Sequence, residues 1–224
     1  MNTSRVKHLI HKDWHFFRGP IVAYIAAGLL SLFAIGKGGD AAFYIGSILL
    51  ITVVISIGIH LVMLTVVQER SEQNLAFVMS LPVSAKEYTA AKVLANLLIF
   101  SLAWVILVIG TVAVIAGRGA IPDGLIPFAV VLLGYLFTSY CLTLGVAIVT
   151  ESQGWTIGAM VLGNLLLQGV MYGVSHAPGM AQDFAANAIV WRQPITGLLG
   201  VELAAILLTL GLTFYLQSRK TDFL

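Results

Sequence analysis

VVQERSEQNLAFVMSLPVSAKEYTAAKV, residues 66–93, separates two long apolar runs and decides how the rest of the chain is read. It gathers Glu69, Arg70, Glu72, Lys86, Glu87 and Lys92 in a chain of which only 10% is charged. Soluble domains average about 25% charged residues. With 59% hydrophobic residues and a mean hydropathy of +0.97, the 224 residues read as a polytopic membrane protein, with this stretch as a loop outside the bilayer.

A spanning helix needs roughly 20 mostly apolar residues. Six stretches qualify, near 20–36, 43–68, 93–117, 125–149, 154–174 and 195–217. The first is the shortest and is expected to borrow Phe16 and Phe17. The expected fold is an all-α membrane protein, one transmembrane domain over residues 1–224. Of its 12 Lys and Arg, nine fall on the face that holds the N-terminus, the loops 69–92 and 150–153 and the C-terminus. Basic loops are retained on the cytoplasmic side, so both termini and the quoted stretch are expected there.

Residues 3–18 read as an amphipathic helix at the membrane surface. Val6, Leu9, Ile10, Asp13 and Phe17 share one side, flanked by Trp14 and Phe16, while Lys7, His8, Lys12 and Arg18 take most of the rest. Asp13 interrupts the apolar face, so a group other than lipid is expected to meet it. Gly19-Pro20 is expected to break this helix before the first span.

Within the quoted stretch, no Gly or Pro stops the second span at Gln68, so helix is expected to continue to about Met79. Leu81-Pro82 ends it, because the residue before a proline is pushed out of helical geometry. Ser84 and Glu87 then have the form of a capping box, restarting a helix that runs from Ala85 through Tyr88 and Lys92 into the third span. The result is a helical hairpin with an apolar tip, Phe77, Val78, Met79, Leu81, Pro82 and Val83, rimmed by charge. Such a knob fits a docking surface for another protein; packing on headgroups or on the chain's own helices is the alternative.

The phrase ERSEQNLAFVMSLPVSAKEYTAAKVLAN, residues 69–96, resembles the intracellular loop of ABC-2 type permeases, the membrane subunits of bacterial ABC exporters. Glu69, Leu81-Pro82, Ser84, Glu87-Tyr88, Ala91 and Lys92 stand in the family's order. Six spans and an N-terminal helix containing Lys12, Asp13 and Trp14 agree with it. The resemblance implies a multi-pass protein of the bacterial inner membrane, a dimer of permease copies or paralogues, and two separate ATP-binding subunits that carry ATP and Mg. It also implies that Phe77, Met79, Leu81 and Pro82 fill a groove on the ATPase while Glu69, Arg70, Lys86 and Glu87 set the register through salt bridges, with Ser84 and Tyr88 in the same coupling site. A re-entrant helix within 175–194 is implied as well; a structureless loop is the alternative.

This chain is not expected to be an enzyme or to bind a cofactor itself. Its only Gly-Lys pair, Gly36-Lys37, lacks the other glycine and the Ser or Thr that a phosphate-cradling loop needs. A single cysteine, Cys141, excludes an internal disulfide. No residue pattern has the spacing of a metal site, and a net charge of +2 gives no footprint for nucleic acid. Two ionisable groups lie inside spans, where they are costly and often mark a pathway. His60 in the second span fits either a pathway role or a neutral ring bonded to a neighbouring helix. Glu202 in the last span could line a cavity, pair with Arg192 or stay protonated. The glycines at 154, 158, 163, 169 and 173 let helices approach closely, for packing inside one subunit or along a dimer seam. A hydrophobic or amphipathic cargo, such as a peptide, lipid or antibiotic, is expected; the competing function is a carrier or channel driven by an ion gradient.

Overall fold

A computed structural model describes residues 3–37, 39–68, 85–117 and 121–219, with the side chains of 3–6, 8–10 and 85–88 left aside. The described residues contain no strand, and the long apolar segments are helical, which pairs backbone groups within each segment as a bilayer demands. The helices are α1 (Thr3–Gly36), α2 (Asp40–Val62) continued by a π-helical segment (Met63–Gln68), α3 (Ala85–Ala116), α4 (Leu125–Thr150), α5 (Gln153–Ser175), the short α6 (Met180–Phe184) and α7 (Gln193–Arg219). Six segments of 23 to 29 residues are long and apolar enough to cross a membrane.

One expectation fails at once. Gly19-Pro20 does not separate two helices: α1 runs unbroken through Pro20 for 34 residues, about 51 Å at 1.5 Å per residue. Proline removes one backbone bond and crowds the carbonyl four residues earlier, at a cost of about 3 kcal/mol. Phe17 and Ile21, on either side of Pro20, are both buried. Their packing on α2 and α3 holds the helical path where the local rule would end it.

α1, α2 and α3 pack on one another, and α4 packs on α2, α3, α5 and α7. α4 is the central post, with buried residues on every turn from Ile126 to Ile148. α5 buries only Thr156, Leu167 and Val174, and α7 only Ile195, Glu202, Thr213 and Gln217. Without a hydrophobic drive inside lipid, close van der Waals approach must hold such helices together. Glycines supply it. A Cβ on Gly46 would meet Ser31 O and Ile35 N of α1 at 2.9 Å each. Because those are backbone atoms that cannot rotate aside, Gly46→Ala is expected to cost about 1–3 kcal/mol, read as a lower midpoint of unfolding in detergent. A variant as stable as the parent would show that α1 and α2 separate freely.

The connection 176–192 contains α6, whose five residues rise about 8 Å. Met180 is fully buried with Val131, Val174 and Ile195, and Phe184 lies 5.2 Å from the Phe128 ring. Gly124 N donates to Ala186 O at 2.9 Å, fastening this connection to the turn before α4. Arg192 closes it with two bonds to Asp183, one of them from Nη2 to Oδ1 at 2.9 Å. The hydrogen-bonded guanidinium holds the Asp183 carboxyl below the usual carboxylate range. A depressed folded value means that the contribution is present above about pH 4 and disappears as the pH falls through the depressed value. Proteolysis of 176–192 should therefore accelerate on acidification in the parent and be fast at every pH in Asp183→Asn.

Candidate coupling site and buried polar groups

The tip residues Glu69, Arg70, Phe77, Met79, Leu81, Pro82 and Ser84 lie outside the described residues, and Lys86, Glu87 and Tyr88 contribute backbone only, as the first turn of α3. What the structure defines is the base on which this loop stands. One limb ends in the π-helical segment Met63–Gln68; the other is α3, helical from Ala85 onward. Rare π-helical turns concentrate at functional sites, and this one leads directly into the loop.

Asp13 and Lys92 meet at this base. Lys92 Nζ donates to Asp13 Oδ2 at 3.0 Å, with both side chains only 7% exposed. The charge that interrupts the apolar face of α1 thus binds the first buried turn of α3. Trp14 and Lys12 sit on the outer side of the same turn and are exposed. Phe17 continues the inward face one turn later.

One turn along α3, Asn96 is fully buried. Its Nδ2 donates to Lys92 O at 3.0 Å. Its Oδ1 lies 3.0 Å from the Thr65 hydroxyl, which also reaches Leu61 O at 2.7 Å. From α4, the Tyr140 hydroxyl donates toward Asn96 O at 3.1 Å and Oδ1 at 3.3 Å. One amide thereby joins the π-helical segment, α3 and α4. Buried polar groups satisfied in this way fix a unique packing. The sequence carried a faint sign of it: Lys92 and Asn96 are four apart, on one face of an otherwise apolar helix.

His60 faces α1. Its Nδ1 lies 3.3 Å from the Tyr24 hydroxyl, and its ring meets Phe17 and Tyr24 edge-on at centroid distances of 6.4 and 5.6 Å. Nε2 finds no hydrogen-bond partner among the described residues. Glu202 faces α4, where its carboxylate fills the notch left by Gly134. It is 7% exposed, with Oε1 unpartnered among the described residues. Arg192 is bonded to Asp183, not to Glu202. His60 and Glu202 therefore occupy different seams, α1–α2 and α4–α7, and do not form one site. The α4–α7 seam continues with Gly145 against Thr209 and Thr213, and with Gln217 Nε2 donating to Ile148 O at 2.5 Å.

The glycines of α5 divide. Gly163 receives Ser139 of α4, whereas Gly158, Gly169 and Gly173 have nothing within 4 Å. With Trp155, Leu162, Leu165 and Tyr172 exposed beside them, this face of α5 is uncovered in the single chain.

Six helices long and apolar enough to cross a membrane, with α4 at the centre of their packing, define a multi-pass membrane protein. The family model for the ABC-2 type transporter matches residues 2–215, and the chain belongs to that family. Comparison with curated proteins and with solved structures finds no match.

Proposed function

We propose that this chain is the permease subunit of an ATP-driven exporter in a bacterial inner membrane, with both termini and the loop 69–92 on the cytoplasmic side. The observation that carries this proposal is the family match over 2–215 together with the loop phrase it contains. Two permease copies enclose the path, and two ATP-binding subunits dock beneath on the tips at Phe77–Pro82. The open glycine face of α5 supports a second membrane copy, since exposed small residues at helical spacing allow close helix approach. The buried Asp13–Lys92 pair supports transmission from the loop, because it fastens α1 to the limb that leaves the docking tip. Glu202 and His60 are the ionisable groups assigned to the path or its gating. The cargo is hydrophobic or amphipathic.

Inspection of the neighbouring reading frames for an ATP-binding protein, followed by co-expression and purification with it, tests this. A complex of two permeases with two ATPases, and cargo movement that requires ATP, is the expected result. Cargo movement that persists with no ATP-binding protein present would instead favour a carrier or channel driven by an ion gradient.

A further inference from the structure

At the end of the bundle opposite the loop, α1 to α5 leave a cavity of about 290 Å³. Its wall is almost wholly apolar, including Leu32 and Ile35 of α1, Ile51 of α2, Ile115 of α3, Leu132 of α4 and Met171 of α5. Ser47 and Thr111 bring the hydroxyls other than that of Tyr44, and Thr111 donates its proton to Leu107 O at 2.7 Å. Small-molecule pockets begin at roughly 300 Å³, so the chamber suits one hydrocarbon chain and is too small for a two-chain lipid. Tyr44 and Ile48, which border it, are 65% and 64% exposed, so it opens sideways to the bilayer.

A second cavity of about 250 Å³ adjoins the first, with Ile35, Phe43, Tyr44 and Leu125 in both linings. It is the polar one, lined also by Gly39, Asp40 and Pro122 at the surface turns. Asp40 opens α2 and is exposed. Lys37, three residues before it, lies over the Phe33 ring at 5.0 Å instead of capping the carboxylate. An apolar chamber beside a cavity edged by the exposed Asp40 carboxylate matches one ligand chemistry. We propose that this cleft binds an amphiphile with an ammonium head, its single inserted alkyl chain between α2 and α4 and its head at Asp40. Such a ligand comes either from an aminophospholipid of the surrounding bilayer, one of its chains inserted, or from a soluble cationic amphiphile. The site stands beside the transporter assignment rather than on it, since binding here requires neither ATP nor a second subunit.

The test is photolabelling of the full chain in phosphatidylglycerol nanodiscs, with dodecylamine carrying a diazirine at its chain end and dodecyl sulfate carrying the same group. The amine probe is expected to label the chamber wall at Leu132 and Met171 and to exceed the sulfate by about fivefold, the range of one exposed ion pair. Asp40→Asn should erase that preference without moving the labelled positions. Ala129→Phe, or Ser47→Met from the facing helix, fills the chamber and should cut labelling by at least about tenfold, while both variants elute as the parent does. Competition by phosphatidylethanolamine built into the disc identifies a bilayer lipid as the occupant; competition by soluble alkylamine alone identifies a free amphiphile. Labelling confined to lipid-facing Ile45 and Leu49, or unchanged by both filling variants, overturns the site. Equal labelling of the parent by amine and sulfate overturns the assignment of the head.

Discussion

Replacing Lys92 with methionine is expected to lower the unfolding free energy by about 3–5 kcal/mol, the cost of leaving one partner of a buried ion pair alone. Asp13 is the reason. Its carboxylate is held at 3.0 Å from Lys92 Nζ on a side chain only 7% exposed. With the ammonium gone, it must either remain desolvated or pull the first turns of α1 off the bundle. Asp13→Leu combined with Lys92→Met removes both charges and is expected to return to within about 1 kcal/mol of the parent, since apolar replacements of buried pairs are often neutral or better. The coupling energy from the four-protein cycle is the decisive number. A coupling near zero would mean that headgroups or water solvate both charges and that α1 is not fastened there.

The double substitution Met79→Asp and Leu81→Asp is expected to abolish recovery of the ATP-binding subunit with the purified chain. This prediction rests on the docking role assigned to the tip. Two carboxylates placed in an apolar groove lose their hydration without gaining partners, at several kcal/mol, which is enough to reduce a micromolar association to an undetectable one. In sequence both substitutions fall between Gln68 and Ala85, outside the segments that carry Asp13 and Lys92. The midpoint of unfolding of the permease itself should therefore move little. Normal recovery of the partner with both aspartates in place would refute the docking assignment.

Much of the architecture could be read from the residues, because the bilayer imposes a length and a polarity that composition reports directly. The last span was expected over 195–217 and is helical over Gln193–Arg219. That Asp13 on the apolar face needs a partner other than lipid was equally plain; that the partner is Lys92, distant in sequence, depends on how α1 and α3 cross. Pro20 shows the opposite case. A local rule predicts a break, and the packing of Phe17 and Ile21 overrides it. The π-helical turn Met63–Gln68 carries no proline or glycine to announce it. Glu202 was a candidate partner for Arg192 until α6 placed Asp183 in the way. The apolar cavity was invisible for the same reason: its lining is drawn from five helices, each of which reads as ordinary lipid-facing or core sequence.

The uneven burial along the bundle also sets an order of assembly during synthesis. Once Thr150 has left the ribosome, the chain already holds both partners of the Asp13–Lys92 pair and every member of the Thr65, Asn96 and Tyr140 network. α5 and α7 touch chiefly α4, so they arrive at a surface that is already finished. The notches at Gly134 and Gly145 wait for them in lipid until translation delivers Glu202 and Thr213, and Ser139 waits for the notch at Gly163. A nascent chain ending at Thr150, with cysteines at 13 and 92, is therefore expected to be bridged there by a bifunctional thiol reagent before its last two spans exist.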